Sequence, residues 1–205
     1  MPEPFTPPIK FARVNPTLAR GAYPRPINYR YLETLKLKTM IALTPNEITM
    51  ENDPSLYSFC SKNKILLVHF ETDHSAKDKG KKRGIPIESE QVLKILELIL
   101  TKERSPIYMF CNNGGQITSL VVACLRKIQL WNLVSIYDEF VRYSTTINQN
   151  DRAFIESFKA RIKLPSADKR VDWLWNGMSP HIIQNHPSMK YVLFGEDLKE
   201  DAVQL

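Results

Sequence analysis

Short apolar runs, each closed by proline or charge, set the plan of this chain. Residues 38–45, KTMIALTP, and 64–70, KILLVHF, are rich in branched side chains and read as strands buried on both faces. Tyr31, Leu32 and Leu35 fall at helical intervals within 28–36, with Asn28 as the expected N-cap. Residues 86–100, PIESEQVLKILELIL, begin with proline and acids and then repeat Val92, Leu93, Leu96, Ile99 and Leu100, which predicts the clearest helix of the chain. Near the start, FARVNPTLARGAYP at 11–24 places turns at Asn15-Pro16 and at 21–24, so short strands are expected around them. Pro2, Pro4, Pro7 and Pro8 keep residues 1–9 extended and deny them helix. At 106–128 an apolar run leads into Cys111, then a loop with adjacent Gly114 and Gly115, then an apolar helical stretch over 119–128.

Composition narrows the class. The 205 residues fit one domain of ordinary size. Hydrophobic residues at 43% and charged ones at 24% suit a packed globular chain and disfavour disorder. No apolar run approaches the roughly 18 residues of a membrane span, and MPEPFTPPIKF has neither the basic nor the apolar region of a secretory leader. No membrane is expected. Cys60, Cys111 and Cys124 are odd in number and lack metal-ligand spacing, which argues against a disulfide framework and against zinc. A reducing, cytoplasmic location follows as the expectation. His69 and His74 lack further ligands nearby in sequence, so no metal and no cofactor is assigned.

The net charge of +6 is local. Residues 77–83, KDKGKKR, hold much of it, so a basic face for nucleic acid is not indicated. With Gly80 inside it and Gly84 after it, this tract reads first as a solvated loop. The sharper reading is a patch for phosphorylated ligands built from Lys79, Lys81, Lys82 and Arg83. Arg13, Arg20 and Arg25 face either a phosphate pocket or solvent. Trp173 and Trp175 either pack back on the domain or anchor a partner.

The glycine loop carries the chemistry. A loop that turns sharply into a helix N-terminus points free N–H groups at one spot, and the helix dipole adds to the attraction for an anion. Asn112, Asn113, Gly114, Gly115 and Gln116 are the candidate phosphate-binding residues. A thiolate at Cys111 gains from the same field. A buried structural cysteine followed by a glycine turn is the plainer alternative, and Cys60 and Cys124 read as small core residues.

The opening segment FARVNPTLARGAYPRPINYRYLETLKLKTMIAL, the block LRKIQLWNLVSIYDEFVRY and the following DRAFIESF resemble the plant and fungal atypical dual-specificity phosphatases, the tyrosine-phosphatase-like group that includes inositol-pyrophosphate phosphatases. The resemblance runs from about Phe11 to Phe158. It implies a single α/β cysteine-phosphatase-like domain over 11–164, with a central, mostly parallel sheet flanked by helices, a proline-rich arm at 1–10 and a C-terminal extension at 165–205. Active members carry His-Cys, five residues, Arg and a hydroxyl residue. Carried over, the cysteine falls on Cys111 and the hydroxyl residue on Thr118, while the histidine becomes Phe110 and the arginine becomes Ile117.

The acid expected near the start of the 86–100 helix meets Ile87, with Glu88, Glu90, Asp73 and Asp78 as neighbours. A guanidinium grips two phosphoryl oxygens in a way no aliphatic side chain reproduces. Such an arginine is worth about 10³ to 10⁵ in rate. The resemblance therefore implies a pseudophosphatase in which Cys111 and Thr118 are vestigial. Related phosphatase-fold subunits are the expected partners; the alternatives are a sensor of inositol polyphosphates and a slow phosphatase that uses Cys111.

Overall fold

The computed structural model describes residues 5–73, 83–160 and 162–187. Five strands form one sheet: β1 Ala12–Asn15, β2 Leu18–Ala22, β3 Thr39–Thr44, β4 Leu66–Glu71 and β5 Ile107–Cys111, in the spatial order β1-β2-β5-β3-β4. β1 pairs antiparallel with β2, and the other pairs are parallel. Around the sheet lie α1 Pro26–Thr34, α2 Pro54–Lys62, α3 Ser89–Leu100, α4 Gln116–Ile128, α5 Leu133–Ser144, α6 Gln149–Ser157 and the short α7 Pro180–Asn185. This is the expected mostly parallel sheet flanked by helices.

Every residue of β3 and of β5 is buried, because each strand feeds two cores in alternation. Ile107, Met109 and Cys111 enter a larger core with α3, α4, Phe140 and Ile155, while Tyr108 and Phe110 enter a smaller one with Leu32, Leu56 and Phe59. Ile41 and Leu43 follow the first set, Met40 and Ala42 the second. Two-sided burial is why β3 and β5 read as unbroken apolar runs, whereas β4, expected from its run to be buried on both faces, stands at the sheet edge and is only half-buried.

Three helix starts differ from expectation, and in each the cap chemistry supplies the reason. α1 starts at Pro26, with Arg25 at the N-cap, because proline suits the first helical position. Asn28 sits inside the first turn, accepting the Arg25 N–H at 2.8 Å and donating to the Thr6 carbonyl at 3.1 Å. α4 begins at Gln116, three residues earlier than its apolar stretch, directly from the glycine pair. α2 was not anticipated, although Asp53 caps it by accepting from Leu56 N at 2.9 Å and Pro54 takes the first helical position.

Residues 165–187 pack back on the domain. Val171, Leu174, Trp175 and Ile183 belong to the larger core. Trp175 donates its indole N–H to the Ile128 carbonyl at 2.7 Å, and Trp173 donates to Thr17 Oγ1 at 2.9 Å. Of the two roles open to this tryptophan pair, the described structure shows packing. No helix among the described residues is long and apolar enough to cross a membrane.

Candidate functional site

The site lies at the carboxyl end of the central strand. Cys111 closes β5 and sits between Ala22 of β2 and Leu43 of β3 in the sheet register. Open α/β sheets bind ligands in this place, outside the carboxyl ends of parallel strands. The loop that follows returns at once to the N-terminus of α4. Gly114 makes this possible with φ +63, and a Cβ there would stand 2.6 Å from both Ala22 N and Gly21 C. The floor of the loop is therefore backbone laid on backbone, which only glycine permits.

Within the loop Asn113 turns its carboxamide inward. Its Oδ1 accepts the Gly115 N–H at 2.8 Å and the Cys111 thiol at 3.8 Å. One amide of the cradle is thus answered by the loop's own side chain. Cys111 is 1% exposed. Thr118 is fully buried, and its Oγ1 has no partner among the described residues. Ile117, where the family resemblance places an arginine, is half-buried and packs against the larger core. Phe110, in the position of the signature histidine, lies in an aromatic cluster, 5.3 Å from the Tyr23 ring and 5.7 Å from that of Tyr108.

Behind the loop stands a buried cation. Arg20 is 1% exposed and donates from Nη2 to the Gly114 carbonyl at 3.0 Å and to Ser119 Oγ at 2.7 Å. Its Nε and Nη1 have no hydrogen-bond partner among the described residues, and its guanidinium lies 4.0 Å from the centre of the Tyr143 ring. Burial pulls its pKa down to about 10, since desolvation disfavours the charged form. Arg13 instead donates outward to Pro16 O, and Arg25 belongs to the cap of α1.

In front of the loop is Lys10. Lys10 Nζ and Asn113 Oδ1 lie 3.3 and 2.9 Å from one point, the position a Cβ on Gly115 would take. The turn that brings Lys10 there has φ 56 and is held by the Ala22 N–H donating to Ile9 O at 2.8 Å. Sequence reading passed over this lysine because nothing local ties residue 10 to residue 115.

Gln116 anchors the other flank, donating from Nε2 to Gly84 O at 2.9 Å and to Asp151 Oδ1 at 2.7 Å. Asp151 is fully buried and pairs with Arg83. Arg83, a member of the expected basic patch, is thus engaged by a carboxylate. Lys79, Lys81 and Lys82, with His74 and Asp78, lie outside the described residues.

Two clefts share lining residues here, and the first of them opens beside the loop. One of about 290 Å³ is lined by Asn112, Tyr23, Asp53, Thr44, Pro45 and Asn46, and Tyr23 donates to Asp53 at 2.6 Å. Burial and that bond push the Tyr23 hydroxyl well above its ordinary value. The second, about 930 Å³, shares Pro45 and Asn46 and collects Glu71, Asp73, Glu88 and Glu90. The candidate acids Asp73, Glu88 and Glu90 thus line the cleft next to the one that Asn112 enters, and Glu88 caps α3. Ile87 is 3% exposed and belongs to the core.

Among the described residues no cluster of three metal-ligating side chains occurs, and His69 Nε2 lies 2.7 Å from Thr44 O. Cys60 and Cys124 are core residues, with the Cys60 thiol pushed up to about 12 by burial.

Comparison with known proteins gives a consistent result. A family model described as "Tyrosine phosphatase family" matches residues 5–177. The Saccharomyces cerevisiae protein "Putative tyrosine-protein phosphatase OCA6" is 39% identical over 176 residues, 82% of this chain and 78% of that protein. "Inositol diphosphatase DSP4" of Arabidopsis thaliana is 31% identical over 155 residues, 75% of this chain and 74% of its own. Among solved structures, the core catalytic domain of the S. cerevisiae PP-IP phosphatase SIW14 in complex with citrate superposes with a TM-score of 0.65 at 31% identity, covering 76% of this chain and 89% of that one.

Proposed function

The chain belongs to the tyrosine phosphatase family, and on that premise we propose that it is a catalytically impaired member, a pseudophosphatase acting as a non-catalytic subunit or regulator of a related phosphatase complex. The observation that carries this reading is Ile117. Where the signature calls for a guanidinium on the transferring phosphoryl group, an aliphatic side chain packs toward the core. Phe110 and Ile87 add to it, since both belong to apolar packing. Removing one preorganised donor costs about 10² to 10³ in rate, and loss of a general acid about 10² to 10⁴, with overlap between them.

A scaffold role is supported by apolar exposure on α5 and in the segment just ahead of it. Trp131, Leu133, Val134 and Val141 are exposed, Val134 by 78%, within the LRKIQLWNLVSIYDEFVRY block. Extended apolar exposure marks contact surfaces, and exposed apolar side chains along one short segment fit that role. A cytoplasmic location, where three free thiols stay reduced, fits the same reading.

The test has two parts. Purified protein should show no Cys111-dependent hydrolysis of aryl phosphates, phosphopeptides or inositol pyrophosphates. Affinity purification from the native host should recover a related phosphatase-fold protein. Turnover that disappears in Cys111→Ser would replace this reading with that of a slow phosphatase.

A second reading is a sensor of inositol polyphosphates. It draws on the inositol diphosphatases among the relatives and on Lys10, a cation standing beside the loop. Binding without turnover, and without a protein partner, would favour it.

A further inference from the structure

We propose that Lys10 supplies from outside the loop the cation that the loop lacks, so that the Cys111 loop takes a tetrahedral oxyanion between Lys10 and the α4 N-terminus, with Asn113 as its internal competitor. The inference rests on the reading of the loop as an anion cradle, and it holds whether or not the protein turns a substrate over.

Three observations converge on one small volume. Lys10 Nζ and Asn113 Oδ1 both stand close to one point, 3.3 and 2.9 Å from the Cβ position of Gly115. Asn113 Oδ1 accepts the Gly115 N–H at 2.8 Å, so an oxygen already occupies the place that this amide offers. Behind them Arg20 is 1% exposed, and it reaches the loop through Gly114 O, while its Nε and Nη1 have no hydrogen-bond partner among the described residues. Buried donors almost always find partners, and a buried cation beneath a glycine loop, with no carboxylate paired to it among the described residues, makes that loop attractive to negative charge.

Lys10 has the freedom the role needs. It is exposed, and no carboxylate among the described residues pairs with it. Its backbone is held in place by the Ala22 N–H to Ile9 O bond, and Ala22 is also the neighbour of Cys111 in the sheet. The lysine is thus tied to the floor of the loop it serves. A lysine holds phosphate as a point charge where an arginine would hold two oxygens at once, so this arrangement suits binding better than in-line transfer. An incoming oxyanion takes the Gly115 N–H, and the Asn113 carboxamide swings out to solvent.

The test is an amide-resolved NMR titration of the full chain with inorganic phosphate, repeated with inositol hexakisphosphate. Shifts of the Gly114, Gly115 and Gln116 amides are expected, with phosphate binding in the millimolar range. Lys10→Met should weaken both ligands about tenfold, the size of a lost charge-assisted hydrogen bond, and Lys10→Arg should restore them. Asn113→Ala should tighten both. A larger gain for the hexakisphosphate identifies the source as a phosphate group on a polyol, and equal affinities identify free phosphate. If the amides shift but Lys10→Met binds as the wild type does, the proposal is overturned and the cradle stands. If no loop amide responds in wild type or in Asn113→Ala, both fall together.

Discussion

Gln116 donates to Asp151 at 2.7 Å, and the other oxygen of that fully buried carboxylate pairs with Arg83. One acid thereby joins the first turn of α4, the first turn of α6 and the segment ahead of α3. Asn148 and Asn150 extend the junction by donating to the Arg83 carbonyl at 2.8 and 3.1 Å.

Removing the carboxylate leaves a shielded guanidinium without its counter-charge. Asp151→Ala is therefore expected to cost about 3–5 kcal/mol of stability, as for a broken buried ion pair. Urea denaturation measures this. A loss below about 1 kcal/mol would mean that water reaches Arg83 freely.

Supplying the signature arginine alone tests the proposed impairment. Ile117→Arg places a guanidinium on a loop whose preceding residue, Phe110, is locked between aromatic rings and whose expected acid position, Ile87, lies in the core. Turnover of an inositol pyrophosphate or an aryl phosphate should rise only weakly. Activity matching that of an intact relative would show that the remaining residues suffice.

The C-terminal tryptophans should matter for folding. Trp175 is 8% exposed and bonded to Ile128 O, so Trp175→Ala is expected to cost about 3–5 kcal/mol, the range for a buried large side chain. Trp173→Phe loses mainly the bond to Thr17, worth about 0.5–1.5 kcal/mol. Deleting residues 165–205 should leave a poorly folded chain, as judged by near-ultraviolet circular dichroism. A well-folded truncation would show that the core closes without this strap.

Alkali should weaken the fold through its thiols. Burial raises Cys60 to about 12, whereas an unfolded thiol titrates near about 8.5. A group whose folded pKa is raised contributes fully below the unfolded value and loses that contribution as pH climbs toward the folded one. Stability should thus fall between about pH 8.5 and 12, and Cys60→Ala should flatten that part of the profile. Iodoacetamide at pH 8 should leave Cys60 and Cys124 unmodified until the protein unfolds, with mass spectrometry reading the sites.

Local chemistry made much of the fold legible. Two-sided burial of β3 and β5 wrote itself as apolar runs, and the repeat of Val92, Leu96 and Ile99 announced α3. The glycine pair marked the loop. α2 was equally open to reading, from Asp53-Pro54 followed by Leu56, Phe59 and Cys60, and was missed because its apolar spacing is brief.

The second layer of the site was not legible in this way. Arg20 meets Gly114 from 94 residues away, Asp151 meets Gln116 across 35, and Lys10 reaches Gly115 from the proline arm. No periodicity encodes such meetings, because they depend on where the sheet puts its ends. Trp173 and Trp175 show the same limit, since their indoles find partners at Thr17 and Ile128 that only the folded chain brings near.

Gly114, pressed against Gly21 and Ala22, separates what can be rewritten at this site from what cannot. Asn112 is exposed on the rim and can change without moving the scaffold beneath, whereas Asn113, also exposed, gives up its bond to the Gly115 N–H when it is replaced. A single methyl at Gly114 would push the loop off β2 and break the seat it shares with the opening turn. An engineer wishing to give this chain a new ligand can therefore recast its rim side chain by side chain, on a base whose dimensions are set by main-chain atoms alone.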